Sequence, residues 1–528
     1  MSTLIIRSKT KKGLIIFGAI VVIILLLALG FYAAVELLKE KKTGEEEPGI
    51  ERIRDDRISP LENQGVIIEV KRIRHRGLLD TIMNKLVAWR FKPSFYFITI
   101  MDDLEYVSKD VRAATGESEQ LYTTWDTMFM ENKIVRDVPG EQEKSEITLI
   151  IMERVKTGLF KLRKNDVERE TIKIVYDYRT GRWNGDDYFN DSDGYGHYLG
   201  EYFEVWFNVY QIDYDHDGIP YWTEVNILGT DPTVDDSKLD PDDDGIPTAW
   251  EWRWGYNPFT YDNHSLLDPD HDGLTNIQEY QMEKWFADPF YKDIYIEVDG
   301  MQKKNPIGRT YVFWKESQQI LIERFASHGI SVFIDDGWPD GPVNGGGELL
   351  PYYETISQDS GMMLQFYRHN FADERKGMFR YLLIANSAGF CHPSEYNRYD
   401  TMAVGTARSI MLKRGGFTPR AERILLAAMV MHELGHSLGI APWNTPGNDN
   451  ASFTESKAAK QDYLEKWGNY KSVMNYYYIY DKKLVDYSDG SHGEGDQNDW
   501  EKFDLTLFKK ECKVIEDPGF TLPGKEEV

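Results

Sequence analysis

The chain has 528 residues, too many for one ordinary hydrophobic core, so it is expected to divide into several folded parts joined by linkers. Hydrophobic residues at 41% and aromatics at 13% exclude wholesale disorder, although 28% of the side chains are charged. With 61 basic against 87 acidic side chains the net charge is -26, which disfavours nucleic acid and anionic lipid and favours cations as partners.

The stretch Gly13 to Val35, GLIIFGAIVVIILLLALGFYAAV, carries no charge and is bounded by Lys12 and Glu36. About 20 apolar residues cross a bilayer as a helix, whereas signal peptides have apolar regions of only about 7–15. An uncleaved transmembrane anchor is therefore expected. Arg7, Lys9, Lys11 and Lys12 on one side are balanced by Lys39, Lys41 and Lys42 on the other, so the positive-inside rule alone sets no orientation. The short N-terminal tail and the calcium-type motifs described below put the large part outside, as in a single-pass protein of the cell membrane.

Charged residues with Gly44, Pro48 and Gly49 make a juxtamembrane linker of the segment that follows. From Gly65 onward the runs GVIIEV (Gly65 to Val70), FYFITIM (Phe95 to Met101), EITLIIM (Glu146 to Met152) and TIKIVYDY (Thr171 to Tyr178) are β-branched or aromatic and separated by turn residues. They predict an antiparallel β-sandwich with no catalytic constellation. Asp186, Asp187, Asp191 and Asp193 near its end read first as an exposed acidic turn, with a cation-holding loop as the alternative.

An internal repeat comes next. Asp213, Asp215, Asp217, Gly218 and Glu224 hold the first, third, fifth, sixth and twelfth places of DYDHDGIPYWTE. Asp240, Asp242, Asp244, Gly245 and Glu251 hold the same places in DPDDDGIPTAWE, and Asp268, Asp270, Asp272, Gly273 and Glu279 in DPDHDGLTNIQE. Calcium takes 6–8 oxygen ligands; alternate carboxylates and a late bidentate glutamate supply them, and glycine allows the sharp turn. With the linking phrases LGTDP, GYNPF and FADPF, the repeat resembles thrombospondin type 3 and related extracellular calcium repeats. That resemblance implies a calcium-rigidified rod, not a sensor.

The last region opens with DIYIEV (Asp293 to Val298), an amphipathic stretch from Thr310 to Ser327, and the strands ISVFID (Ile330 to Asp335) and FRYLLIA (Phe379 to Ala385), a mixed α/β pattern. Thr418 and Pro419 then offer an N-cap and a first helical residue for PRAERILLAAMVMHELGHSLG, which runs to Gly439. His432 and His436, four apart, project from one helix face and can bind one zinc ion. Glu433 between them is placed as the general base that takes a proton from the attacking water and passes it to the leaving amine.

This HExxH motif continues as HELGHSLG, and SVMNY follows at Ser472 to Tyr476; together they resemble the metzincin metallopeptidases over about Asp293 to Lys510. The resemblance implies that the chain turns sharply at Gly439 and that Met474 forms a hydrophobic floor under the metal. It puts Tyr476 where some members have an additional, switchable tyrosine ligand. At the family's place for a third ligand, three residues after Gly439, stands Pro442, which has no ligand atom. Three residues can take that role: Asp449 in PGNDN first, then His492 in SDGSHGEGD, then Glu455, at the spacing of the gluzincin class.

The chain thus reads as multidomain: tail and transmembrane helix over 1–38, juxtamembrane linker over 39–60, β-sandwich domain over 61–211, calcium-binding repeats over 212–290, and an α/β metzincin-like domain over 291–528. The expected function is a membrane-anchored extracellular zinc metallopeptidase stabilised by calcium, acting on protein or peptide substrates. The alternative is a calcium-dependent adhesion or scaffold protein with an inactive peptidase-like domain. Cys391 and Cys512 leave room for one long-range disulfide.

Overall fold

A computed structural model describes residues 55–60, 64–76, 94–108, 126–127, 132–157, 163–187, 195–308, 311–337, 342–357, 361–391, 400–406, 418–449, 457–481 and 483–509. The anchor segment Gly13 to Val35, Asp191, Asp193, Glu455 and Cys512 lie outside them. Apart from Asp55 and Asp56, the described residues belong to one unit, Arg57–Val528. Among the described residues no helix is long and apolar enough to cross a membrane.

Alternating apolar residues build two facing antiparallel sheets. The first contains β1 (Gly65–His75), β4 (Asp126–Thr127), β5 (Asn132–Asp137), β9 (Gly196–Leu199) and β10 (Phe203–Ile212), with β1 and β10 at its centre. The second is ordered β3 (Leu104–Val107), β2 (Phe95–Met101), β6 (Lys144–Thr157), β7 (Arg163–Asp177), β8 (Arg182–Gly185). Val66, Ile68 and Val70 of one sheet meet Ile147, Leu149, Ile151, Ile172 and Ile174 of the other in a shared core.

A bulge between Val70 and Arg72 decides what β1 does on its other face. The extra residue inverts the side-chain alternation, so Ile73 joins the core while Arg72 and Arg74 turn outward. Arg72 lies over Trp206 at 4.5 Å and Phe333 at 4.7 Å, and Arg74 donates to Glu204 and Glu323, tying the sandwich to the α/β part. Burial acts to raise the Glu204 carboxyl, but Arg74 and His197 overcome it and hold the group down to about 2. Arg74→Met strips both buried carboxylates of this guanidinium and is expected to cost about 3 kcal/mol. A lowered thermal midpoint with calcium present checks this; an unchanged midpoint contradicts it.

The α/β part is built on β12 (Ser331–Asp335), β11 (Asp293–Met301), β14 (Phe379–Ala385), β16 (Thr401–Gly405) and β15 (Gly389–Cys391), in that order. β13 (Leu349–Leu350) pairs with β11 beyond the end of β12. All pairings are parallel except β15 with β16, so β15 is an antiparallel edge. β11 and β14 are buried along their whole length, as central parallel strands must be. The main helices are α1 (Lys315–Ala326), α2 (Met362–Asn370), α3 (Pro419–Ser437) and α4 (Lys457–Trp467). α1 crosses over from β11 to β12 and meets α3, where the Ser317 hydroxyl donates to the Arg423 carbonyl at 2.6 Å.

Candidate metal centre

Helix α3 starts at a side-chain cap: the Thr418 hydroxyl accepts from the Ala421 N–H at 3.1 Å, with Pro419 at the first helical place. It is buried from Ile424 to Gly435. It ends where Ile440 N–H donates back to the Gly435 carbonyl and Gly439 takes φ +97°, a left-handed conformation. A Cβ at Gly439 would also lie 2.7 Å from Leu507 Cδ1.

The turn after Gly439 brings the Ile440 carbonyl to His436 Nδ1 at 2.7 Å, and the Val473 carbonyl lies 2.8 Å from His432 Nδ1. A carbonyl only accepts, so both Nδ1 atoms carry a proton and Nε2 is the atom of each ring that presents a lone pair once the ring is neutral. These Nε2 atoms are 3.2 Å apart. Asp449, at φ +54°, puts Oδ1 3.1 Å from His432 Nε2 and Oδ2 3.2 Å from His436 Nε2. Zinc bonds of about 2.0–2.1 Å at tetrahedral angles place ligand atoms roughly 3.3 Å apart, so the donor set fits that ion. Asp449 Oδ1 is buried and accepts no hydrogen bond, although His432 Nε2 is near, as expected of atoms arranged around a common centre and not bonded to each other.

Electrostatics agree with the geometry. Burial works to lower the His432 imidazole, but the Asp449 carboxylate prevails and holds it up to about 9. Burial also opposes the charge on Asp449, yet the two imidazoles hold its carboxyl well below the usual range. His432 must therefore give up a proton to take a metal. Burial pushes the Glu433 carboxyl upward against the pull of His432 and His436, in the direction a general base at neutral pH requires.

The Tyr476 ring stacks on His432 with centroids 5.2 Å apart. Burial, then Asp449 and Glu433, push its phenol upward, so it stays a neutral hydroxyl. Met474 is fully buried, and a Cβ on Gly435 would come within 2.3 Å of its sulfur. The glycine inside HELGH is thus required by Met474, a pairing that the spacing within the motif did not reveal. Ser472 anchors this turn, accepting from the Met474 N–H at 3.0 Å and donating to Asp499 at 2.5 Å.

A cleft of about 190 Å³ opens over the centre, walled by Gly389, Phe390 and Cys391 of edge strand β15 on one side and by Pro442 and Trp443 on the other. Cys391 is buried and in no disulfide among the described residues. His492 does not join the cluster; its Nδ1 lies 2.9 Å from Asp496 Oδ2.

The three acidic loops share one backbone geometry. The first-place aspartates Asp213, Asp240 and Asp268 accept from the N–H of Gly218, Gly245 and Gly273 at 2.9, 2.9 and 3.1 Å. The fifth-place Asp217, Asp244 and Asp272 accept from Ile219, Ile246 and Leu274, whose side chains are buried. Both carboxylate oxygens of Asp215, Asp242, Glu251 and Glu279 are buried without a hydrogen-bond donor. Burial and, behind it, neighbouring carboxylates push Asp217 up to about 8, and Glu224 and Asp270 up to about 9. In the first and third loops an all-oxygen, charge-dense set of this kind fits a hard cation such as calcium.

The linking phrases supply a further carboxylate, five residues after each Asp-Pro or Asn-Pro. Asp236 meets Asp217, while Asp262 and Asp293 donate their N–H groups to Asp244 and Asp272 at 3.2 and 2.9 Å. The repeated spacing carried this signal. Asp293 is also the first residue of β11, so the third loop is joined directly to the central sheet.

No protein-family model matches the sequence, and no curated protein matches it.

Proposed function

We propose that the chain is a zinc metallopeptidase, anchored by its N-terminal helix with the large part outside the cell and stabilised by calcium. The observation that carries this reading is the convergence of His432 Nε2, His436 Nε2 and the Asp449 carboxylate within 3.1–3.2 Å, with Glu433 buried beside them. In this reading Asp449 is the third zinc ligand.

When bound, zinc supplies Lewis acidity, which brings the pKa of water down to about 7 and polarises the scissile carbonyl. The protein's own groups do the rest. The cleft beside β15 receives the peptide and presents its scissile bond to Glu433, which lines the same cleft. Glu433 takes a proton from the attacking water as the new C–O bond forms, then gives it to the nitrogen as the C–N bond breaks. Tyr476, kept neutral, donates a hydrogen bond to the oxyanion.

The test separates the ligand candidates. Asp449→Ala should weaken zinc retention at this centre by more than about 100-fold, beyond the roughly 10–100-fold typical of losing a supporting hydrogen bond. His492→Ala should leave it unchanged. The reverse pattern, read by competition with a chromophoric chelator, would reject Asp449 as the ligand.

A further inference from the structure

The middle acidic loop differs from its neighbours by one buried imidazole. Two residues after Asp262, at the place held by Lys238 and Tyr295 beside the other loops, stands His264. It is fully buried, edge-on to Trp250 and Tyr256 at 6.0 and 4.8 Å between centroids, so its orientation is fixed by packing. Its Nε2 lies 3.1 Å from Asp244 Oδ2 and 3.8 Å from Glu251 Oε1.

Nε2 nonetheless has no hydrogen-bond partner. An oxygen at 3.1 Å that forms no hydrogen bond lies off the axis of the ring nitrogen. Donor atoms that surround a common ion stand in this relation to each other, as the atoms of Asp449 and His432 do. Glu251 is fully buried and neither of its oxygens receives a hydrogen bond. The Asn276 side-chain amide lies 2.9 Å from His264 Nδ1, and its oxygen has no partner. Amide oxygen and nitrogen are assigned from the hydrogen-bond network. Turned so that the oxygen faces the ring, Asn276 accepts a hydrogen bond from Nδ1–H, which leaves Nε2 a lone pair directed between Asp244 and Glu251.

We propose that Asp244, Glu251 and His264 form a second transition-metal site, so that the middle loop holds a borderline divalent ion such as zinc while the flanking all-oxygen loops hold calcium. Imidazole nitrogen is a poor donor for a hard ion and a good one for zinc, whereas carboxylates serve both. The site is independent of the peptidase reading, because it shares no residue with α3 or the cleft.

Equilibrium dialysis of the full chain against zinc in excess calcium tests this. Wild type should hold about two zinc ions, His264→Gln about one and His436→Ala about one, with the double variant holding none. If His264→Gln leaves the zinc count unchanged, or His436→Ala alone removes all the zinc, the proposal is overturned. If His264→Gln does not fold, zinc-edge anomalous diffraction from wild-type crystals grown with both ions decides. A zinc signal in contact with His264 Nε2 supports the site, and its absence there rejects it.

Discussion

Glu433→Gln should retain zinc at the His432–His436 centre and lose peptide hydrolysis by about 10⁴-fold or more. The amide keeps the shape and hydrogen-bonding capacity of the side chain but cannot take a proton from water, and general acid–base groups contribute about 10²- to 10⁴-fold. His436→Ala removes a donor that the Ile440 carbonyl orients, so that variant should lose this zinc as well as activity. Side by side, the two variants separate base from ligand. Hydrolysis that survived Glu433→Gln undiminished, in calcium-replete protein, would mean that α3 does not carry the active site.

Removing calcium with EGTA should lower the thermal midpoint by on the order of 5–10 °C and open residues 213–293 to proteolysis. The loops hold buried carboxylates with no donors, and a saturated site contributes about 2.7 kcal/mol at a hundred times its Kd. The sign of the pH dependence follows from the raised carboxyls. In metal-free protein Asp217 titrates at about 8 and Glu224 and Asp270 at about 9, whereas the unfolded chain releases these protons near 4. Between about pH 4 and 9 the native state binds more protons, so metal-free stability falls as pH rises across that window. Calcium holds the same groups ionised and removes the slope. The EGTA-induced drop should therefore be larger at pH 8 than at pH 5. Activity should fall with it, since Asp293 joins the third loop to β11. A midpoint indifferent to EGTA at both pH values would reject calcium as the ion of these loops.

What the sequence displayed well was local. Each acidic loop closes within twelve residues, so the spacing of Asp213, Asp215 and Asp217 already announces the cluster their carboxylates form. The cap at Thr418 and the fourfold spacing of His432 and His436 likewise lie within one helix. What it hid depends on distant contacts. Asp449 reaches the imidazoles from a loop whose course rests on a left-handed residue and on its N–H meeting the Met474 carbonyl, contacts that no spacing in the sequence displays. Gly435 matters because Met474, thirty-nine residues later, fills the space its Cβ would take. The bulge between Val70 and Arg72 reverses the outlook of half a strand, and no periodicity within β1 locates it. His264 stands outside the loop it completes, in a phrase that otherwise reads as a connector.

The peptidase activity itself is tested by cleavage of an unstructured protein by the zinc-loaded, calcium-replete chain, followed by the appearance of new α-amino termini. Steady cleavage is expected, lost when zinc is stripped and restored when zinc alone is returned. Zinc seated on His432, His436 and Asp449 with no cleavage of any peptide bond would contradict it.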